Sequence, residues 1–600
     1  MGMKYKKFEE YHAPVRYHGM KRMKDVYVKM RDGVDLCIDI NLPDGEGPFP
    51  ALLSFGQHNK DLLDADYTAS MPSQPSWSHF WFGNIECGDT KFITSRGYVH
   101  VIAQARGAGK SGPGTPMEAR WDHYDLIEWM AQQDWCDGNI GMVGLSNFGA
   151  NQLMAASEQP PHLKAIFPQD PGWCYGFFRE MNLGGVMNTL FYHLDHMSVD
   201  HMSIGQPPEL PEDQEELFRK AMENPDYKMY KNLYNLLTLK GQKNPLGMTI
   251  PFLLYPYDRP EEYEPMARHK IDSIKIPVYT GSGQYAIDYH FHWQGCQHWW
   301  KELHDVPKKL SLGGPAHQER PFHALEIHNE MMKWYDYWLK GIDTGVMDEP
   351  PVRYWVTGEN KWRYASNWPV PETKWTPLYF ECWERLRWEP VDPDAFDGAS
   401  EPDAFVQMPP TLTNQIQKLR YMTDPLPEDV TIAGPISATF WASIDSDDTN
   451  WFVTLKDLGP DYSDRTGRKG ETEISDLPEK YLTKGMLKAS LRELDNEKST
   501  PYKPWHKLTK ESEKKVVPGE INEYQVEVMS VCHTFKAGHR ICVEISCLDL
   551  PDGANCVCDT EYIPYHICRN ATVLHKIYRD GTHPSHILLP VIPDKDVSEE

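Results

Sequence analysis

The 600-residue sequence has no long hydrophobic run, no CxxC pair and no excess of basic residues. Its apolar runs are too short and broken to span a bilayer, and the first residues lack the apolar stretch of a signal peptide. The formal charge is −26, from 61 Lys and Arg against 87 Asp and Glu, which argues against a nucleic-acid-binding protein. These absences predict a soluble, cytoplasmic protein whose twelve scattered cysteines are reduced and which binds neither membrane nor nucleic acid.

The patterns that hold metals and nucleotides are missing or incomplete. The 25 histidines include no HExxH motif and no closed zinc spacing with cysteine. Residues 106–111 read RGAGKS and look like a phosphate-binding loop, but Gln104 stands where that loop needs its first glycine. We therefore expect no metal and no bound nucleotide, and we expect residues 106–111 to be a loop that supports the sheet edge.

Short strands alternate with helices in the first half of the chain. Such alternation predicts an α/β fold, in which a parallel sheet is covered on both faces and binds ligands at the carboxyl ends of its strands. A hairpin is expected at 25–42, with its turn at Asp32-Gly33, and helices are expected at 121–132 and 324–339. The sheet strands are expected at 49–55, 99–103, 140–145, 163–167, 276–281 and 309–312.

The chain is too long for one hydrophobic core, and its pattern changes twice. Residues 173–274, rich in Met, His, Tyr and Leu, read as helices that form a cap over the carboxyl ends of the strands. After Pro350-Pro351 the pattern becomes short strands and turns, which predicts an all-β sandwich or jelly roll. The expected division is 1–172 and 275–349 for the α/β domain, 173–274 for the cap, and 350–600 for the β-domain.

One serine lies in the context of a nucleophile. Residues 139–149 read NIGMVGLSNFG, which is a short apolar strand and a glycine-flanked turn, and good helix formers follow. A sharp turn of this kind lifts the serine hydroxyl to the carboxyl end of the sheet. The usual motif is GxSxG, whereas here Phe148 takes the last place and Gly149 follows it. Ser146 is therefore the predicted nucleophile.

A serine nucleophile needs a base and an acid that orients the base. His317 follows the last predicted sheet strand, which is the expected place for the base. Two acids remain open, because Asp288 follows the strand at 276–281 and Asp170 follows the strand at 163–167. Adjacent parallel strands lie only ~5 Å apart, so either carboxylate can serve the same imidazole. Asp288 is favoured, and Asp170 is the alternative.

The oxyanion of the tetrahedral intermediate needs two hydrogen-bond donors. The first is expected to be the backbone N–H of Asn147, the residue after the nucleophile. The second is expected from the loop that follows the strand at 49–55. There His58 or Gln57 can donate through the backbone or the side chain.

Eight short segments, spread in order over nearly the whole chain, match one known family. They are WCDGNIGMVGLS at 135–146, PALL at 50–53, RG at 106–107, LKAI at 163–166, GPAH at 314–317, GP at 434–435, GHR at 538–540 and PSH at 584–586. In these segments the chain resembles the bacterial cocaine esterase and X-Pro dipeptidyl-peptidase hydrolases, the CocE/NonD family. The resemblance implies an α/β-hydrolase domain, a helical cap and a C-terminal jelly roll, with serine hydrolysis of an ester or amide through an acyl-enzyme and no cofactor. Carried over by position, Ser146 is the nucleophile and His317 the base.

Three positions depart from the family pattern. His58 takes the place of the family's tyrosine oxyanion donor, and Asn147 takes the place of the tyrosine after the nucleophile. The family's acid aligns with Ala286, and Asp288 lies two residues later. Either that loop shifts to bring Asp288 in, or Asp170 takes the role, or the triad is incomplete.

The sequence predicts a serine hydrolase whose small-molecule ester or amide substrate fits an aromatic, Met-rich pocket under the cap. An X-Pro dipeptidyl-peptidase and an acyltransferase on the same scaffold are alternatives. A peptidase would need an acidic anchor for the substrate ammonium, with Glu180, Asp195 and Asp200 as candidates. The missing acid at Ala286 favours a different alternative, a non-catalytic binding protein that keeps the hydrolase fold. A homo-oligomer formed through the β-domain is left open.

Overall fold

The computed structural model describes most of the two predicted main domains and little of the predicted cap. The predictions for residues 173–274 therefore lie largely outside the described residues, and the domain boundaries stay predictions. The described residues are 5–57, 59–61, 87–114, 121–172, 177–188, 216, 219–220, 223–227, 255–258, 270–284, 291–314, 321–390, 401–413, 415–460, 479–549 and 566–593.

Ten strands form the first sheet, and the apolar runs of the first half supply most of them. They are β1 (Met20–Lys29), β2 (Asp35–Pro43), β3 (Phe49–Gly56), β4 (Val99–Gln104), β5 (Cys136–Leu145), β6 (Leu163–Gln169), β7 (Val278–Gly283), β8 (Lys308–Gly314), β9 (Val352–Val356) and β10 (Lys361–Ala365). Their order is β1-β2-β4-β3-β5-β6-β7-β8-β9-β10. The pairs from β4 through β9 are parallel, as the alternation of strands and helices predicted.

Helices cover both faces of this sheet. The α-helices formed by the described residues are α1 (Thr90–Ser95), α2 (Asp122–Ala131), α3 (Asn147–Ser157), α4 (Phe177–Met181), α5 (Phe291–Glu302) and α6 (Pro321–Lys340). Helices α2 and α3 bury apolar residues in one core, together with Trp299 of α5, and α1 and α6 bury theirs in a second core that contains Trp334 and Tyr335. The other buried apolar residues of α5 pack against β8 and β9. The predicted α/β fold is confirmed. None of the helices formed by the described residues combines the length and apolar character needed to cross a membrane.

The C-terminal part is all-β, as predicted, but its strands close into a barrel and do not specifically form a jelly roll. Strand β21 hydrogen-bonds both β11 and β15, and this double pairing closes the sheet. Trp451, Phe440 and Tyr524 pack together in its interior. The strands are β11 (Lys374–Glu381), β12 (Arg385–Arg387), β13 (Asp403–Gln407), β14 (Lys418–Met422), β15 (Val430–Ile444), β16 (Asn450–Leu458), β17 (Glu479–Lys488), β18 (Asn522–Phe535), β19 (Arg540–Ser546), β20 (Val573–Tyr578) and β21 (His586–Val591).

The first sheet and the barrel are joined by hydrogen bonds just after β9. Strands β9 and β10 extend the first sheet beyond Pro350-Pro351. The backbone of Thr357 then donates to Cys532 at 3.1 Å and accepts from Thr534 at 2.8 Å. Glu359 accepts a hydrogen bond from the Thr534 hydroxyl at 3.0 Å. The barrel is therefore held directly against the sheet edge.

Candidate active site

Ser146 occupies a sharp turn between the end of β5 and the start of α3. Its φ is 54° and its ψ is −115°, a conformation that side-chain-bearing residues rarely adopt and that costs about 1–3 kcal/mol. The Ser146 N–H donates to the carbonyl of Gln169 on β6 at 3.1 Å, and its carbonyl accepts from the N–H of Ala150 at 2.8 Å. Both backbone groups are thus fixed, and the half-buried side chain stands at the carboxyl edge of the sheet.

Glycines allow the strands and the helix to approach closely around this turn. A Cβ at Gly149 would lie 2.4 Å from the backbone oxygen of Gln169, so α3 could not pack this near β6 with any other residue there. A Cβ at Gly56, the last residue of β3, would meet the ring of Phe148 at 2.6 Å. The glycine that the GxSxG pattern places two residues after serine is therefore needed one residue later in this chain.

The residue after the nucleophile contacts the loop that follows β3. The Oδ1 atom of Asn147 accepts a hydrogen bond from the Gln57 backbone N–H at 3.0 Å. The Gln57 N–H is therefore already used. The backbone N–H of Asn147 belongs to the first residue of α3, where a helix has no acceptor of its own to offer. His58, the other predicted donor, lies outside the described residues.

Buried charges anchor the same loop just beyond residue 58. Lys60 and Asp39 are each 1% exposed, and their charged groups lie 2.8 Å apart. Lys60 also pairs with Asp25 and Asp61. Burial alone would lower the pKa of Lys60, but its hydrogen bonds to Asp25 and Asp39 outweigh burial and hold the pKa above its ordinary value. Lys60 is therefore a charged, structural anchor.

The carboxyl ends of four neighbouring strands line up beside Ser146. Leu145 of β5 pairs with Gln169 of β6, Gln169 pairs with Gly281 of β7, and Gly281 pairs with Ser311 of β8. Strand β8 lies three strand spacings from β5, or roughly 14 Å. For a side chain of the loop after β8 to reach Ser146, the loop itself has to extend across the ends of β6 and β7.

Asp170 lies immediately past the end of β6, next to the residue that binds the Ser146 backbone. It is 3% exposed, has a φ of 47°, and donates its N–H to the carbonyl of Gly281 at 2.8 Å. Burial, and secondly the charge of Asp170, raises the pKa of the Cys296 thiol in α5. The structure places Ser146, Asn147 and Asp170 at one edge, and Glu180, a candidate anchor for a substrate ammonium, is buried in α4. Asp288, His317, Asp195 and Asp200 lie outside the described residues.

Two groups of polar side chains near the site were not predicted. His123 of α2 and Asn151 of α3 form a hydrogen-bonded chain that ends on Asn147. Gln284, which follows β7 and leads toward Asp288, accepts a hydrogen bond from the Cys532 N–H of the barrel at 3.1 Å. The only sequence signal was the spacing of Asn147 and Asn151, which places both on one face of a helix.

Segments that resemble ligand sites are structural in the described part of the chain. Lys110 pairs with Asp25 and Asp61, and Arg106 pairs with Asp32 and Asp122. The cationic side chains of residues 106–111, which look like a phosphate-binding loop in the sequence, are therefore engaged in ion pairs within the protein. Within the described ranges, no three His, Cys, Asp or Glu side chains are grouped so that they could hold a metal ion.

Comparisons with known proteins cover nearly the whole chain. Residues 32–319 match the family described as X-Pro dipeptidyl-peptidase (S15 family), and residues 344–588 match its C-terminal non-catalytic domain. The cocaine esterase of Rhodococcus sp. is 24% identical, over 95% of this chain and 98% of the esterase. The crystal structure of a CocE/NonD family hydrolase from Staphylococcus aureus matches with a TM-score of 0.73 at 24% identity, over 98% of this chain and 100% of that chain. An aminopeptidase from a Thaumarchaeota archaeon matches with a TM-score of 0.69 at 18% identity, over 98% of each chain.

Proposed function

Because the chain belongs to the CocE/NonD family of X-Pro dipeptidyl-peptidase-like serine hydrolases, we propose that Ser146 attacks the substrate carbonyl and forms an acyl-enzyme. The observation that carries this assignment is the strained backbone of Ser146 at the carboxyl edge of the sheet. Strain of this kind persists where the surrounding structure over-determines it, and it is common at functional sites. The family resemblance read from the sequence is confirmed.

His317 is the proposed base. It accepts the Ser146 proton as the hydroxyl attacks, then returns that proton to the leaving group as the tetrahedral intermediate collapses. A water molecule then attacks the acyl-enzyme with the same assistance and releases the acid. Its place in the chain supports this role, because β8 ends at Gly314 and residue 317 follows three residues later.

An aspartate holds the His317 ring in the required orientation. The loop after β7 carries Asp288 and the end of β6 carries Asp170, and both strand ends lie between β5 and β8. We retain Asp288 as the first choice and Asp170 as the alternative. Asp288→Asn should lower kcat by about 10⁴-fold, and Asp170→Asn should then have a much smaller effect. The reverse result would assign the role to Asp170, and full activity in both variants would refute a triad with either acid.

The oxyanion is stabilised by the Asn147 N–H and by His58. The Asn147 N–H lies at the amino end of α3, where the helix dipole also favours negative charge. The use of the Gln57 N–H by the Asn147 side chain supports His58 as the second donor. Replacing His58 with Phe should lower kcat by about 10²–10³-fold with little change in KM. An unchanged kcat would remove His58 from this role.

The proposed substrate class is a small ester. The cocaine esterase relative supports it, because the match covers almost all of both chains. Release of X-Pro dipeptides is the second candidate, supported by the peptidase family match over residues 32–319. Turnover of p-nitrophenyl acetate should exceed that of Ala-Pro-p-nitroanilide. Efficient cleavage of the anilide with slow ester turnover would favour the peptidase.

Covalent labelling by a fluorophosphonate tests the nucleophile. The wild-type protein should bind one label per chain, on the peptide that contains Ser146, and Ser146→Ala should bind none. Ser157→Ala is the matched control, since Ser157 ends the same helix and donates its hydroxyl to the Met154 carbonyl at 2.7 Å. Equal labelling of the wild type and Ser146→Ala would overturn the assignment.

A further inference from the structure

The Asn147 side chain joins the nucleophile turn to the loop after β3. Its Oδ1 atom accepts two hydrogen bonds, one from the Gln57 backbone N–H at 3.0 Å and one from the Asn151 amide at 3.1 Å. The Asn151 amide nitrogen also donates to the Asn147 backbone carbonyl at 2.8 Å. One residue therefore supplies a backbone N–H beside the nucleophile and holds the neighbouring loop through its side chain.

The two Asn147 oxygens fix the direction of this hydrogen-bonded chain and thereby the tautomer of His123. The Asn151 amide nitrogen faces two oxygens of Asn147, so the Asn151 oxygen faces the Nε2 atom of His123, at 2.9 Å. An amide oxygen can only accept, so Nε2 of His123 carries the hydrogen. The His123 ring is 4% exposed and packs on Phe55 of β3, with ring centroids 4.2 Å apart. The chain thereby connects β3, α2 and α3.

The loop after β3 is held on the other side of residue 58 as well. Asn59 is 2% exposed, and its side-chain oxygen accepts a hydrogen bond from Gln104 of β4 at 3.1 Å. Lys60 is paired with Asp25 and Asp39. The loop is therefore anchored to the nucleophile turn at residue 57 and by buried polar contacts at residues 59 and 60.

We propose that Asn147 is a positioning residue of the oxyanion hole, whose side chain, oriented by Asn151 and His123, holds the loop after β3 at Gln57 and so fixes its own backbone N–H, beside Ser146, relative to that loop. This inference rests on the proposed function. The network adds no donor of its own. It fixes the Asn147 N–H and the loop after β3 relative to each other before the oxyanion forms, and such preorganisation acts on the transition state more than on the bound substrate.

The Asn147→Leu variant tests the proposal, because leucine has a similar size and cannot accept a hydrogen bond. We expect kcat per reactive site, counted by fluorophosphonate labelling to completion, to fall by about 10–100-fold, with KM within about twofold. The Ki of a boronic acid that forms a tetrahedral adduct should rise by the same factor as kcat/KM falls. Asn139→Leu, at the opposite end of β5, is the matched control and should keep wild-type kinetics.

A pair of His123 variants separates positioning from simple packing. The amide nitrogen of Gln can take the place of Nε2 and donate to Asn151, so His123→Gln should retain most of the activity that His123→Leu loses. A packing role would give both variants the same lowered Tm and fewer reactive sites, with wild-type kcat per site. Wild-type kcat and Ki in Asn147→Leu, or equal losses in the two His123 variants, would overturn the positioning role alone. A wild-type protein that fails to react at Ser146 would overturn the proposed function, and the oxyanion hole with it.

Discussion

Replacing Gly149 with alanine tests how strictly the nucleophile turn depends on the contact between α3 and β6. A Cβ at this position would lie 2.4 Å from the Gln169 backbone oxygen, whereas ordinary contacts begin at 3.4 Å. The helix and the strand therefore have to separate by about 1 Å, a displacement that can lower the rate of a positioned reaction by about 100-fold.

The Gln169 oxygen cannot move away without a second loss, because it also accepts the Ser146 N–H at 3.1 Å. We therefore expect kcat of Gly149→Ala, measured per reactive site with p-nitrophenyl acetate, to fall by about 100-fold. Overpacking of this kind should also lower the free energy of unfolding by about 1–3 kcal/mol. The two effects are measured separately, by steady-state kinetics with active-site titration and by chemical denaturation.

Gly519→Ala is the control for stability loss without a change at the site. Gly519 has a φ of +83°, and a Cβ there would meet nothing within 4 Å, so the variant is strained without a clash. It should lose about 1 kcal/mol of stability and keep wild-type kcat. Wild-type kcat per site in Gly149→Ala would refute the argument that the close contact positions Ser146.

Three further variants test other features of the structure. Ser146→Gly should be more stable than Ser146→Ala by about 1–2 kcal/mol in thermal unfolding, because glycine relieves the backbone strain, and equal Tm values would contradict that strain. Lys60→Met should lower the free energy of unfolding by about 3 kcal/mol, since it removes one of the two cations that pair with buried Asp39 and leaves only Arg22, and a loss below about 1 kcal/mol would show that Lys60 is not an anchor. Burial would raise the pKa of Glu359, but its hydrogen bond and charge pairing with Arg363 outweigh burial and lower the pKa to about 2. A carboxyl group whose pKa is lowered by folding stabilises the folded state above its ordinary titration range, and this stabilisation is lost as the pH falls. The free energy of unfolding of the wild type should therefore exceed that of Glu359→Gln by up to about 3 kcal/mol at pH 6, and the difference should narrow toward pH 3. A difference that stays constant with pH would contradict the ion pair.

Local patterns predicted the elements that position the nucleophile. The apolar run before Ser146 and the helix formers after it gave the strand, the turn and the helix at their observed places, because a short buried strand and a glycine-flanked turn are encoded within a few residues. Gly149 lies one residue later than the glycine of the usual motif, and its close approach to Gln169 supplies the physical reason.

Pairing between distant strands was not predictable in the same way. The alternation of short strands after residue 350 gave an all-β domain, but closure into a barrel depends on β21 pairing with both β11 and β15. Those partners are separated from β21 by more than a hundred residues, and no local pattern records such pairing. Strands β9 and β10 likewise join the first sheet although they follow the Pro350-Pro351 pair.

Side-chain networks that span several elements were also not predictable from the sequence. His123 lies on an amphipathic helix, where its residue type and spacing do not distinguish a core histidine from one that orients Asn151. The contact becomes visible only when α2, α3 and β3 are brought together. The sequence cannot choose between Asp288 and Asp170 for the same reason, because neighbouring strand ends can present either carboxylate to the His317 ring.

Trapping the acyl-enzyme tests the role of Ser146 most directly. The protein is mixed with p-nitrophenyl acetate, quenched in acid while turnover proceeds, and digested, and the acetylated peptide is located by mass spectrometry. One acetyl group on Ser146, absent from Ser146→Ala together with turnover, is the predicted result. An acetyl group on a different residue, or a Ser146→Ala variant that turns the ester over at the wild-type rate, would contradict it.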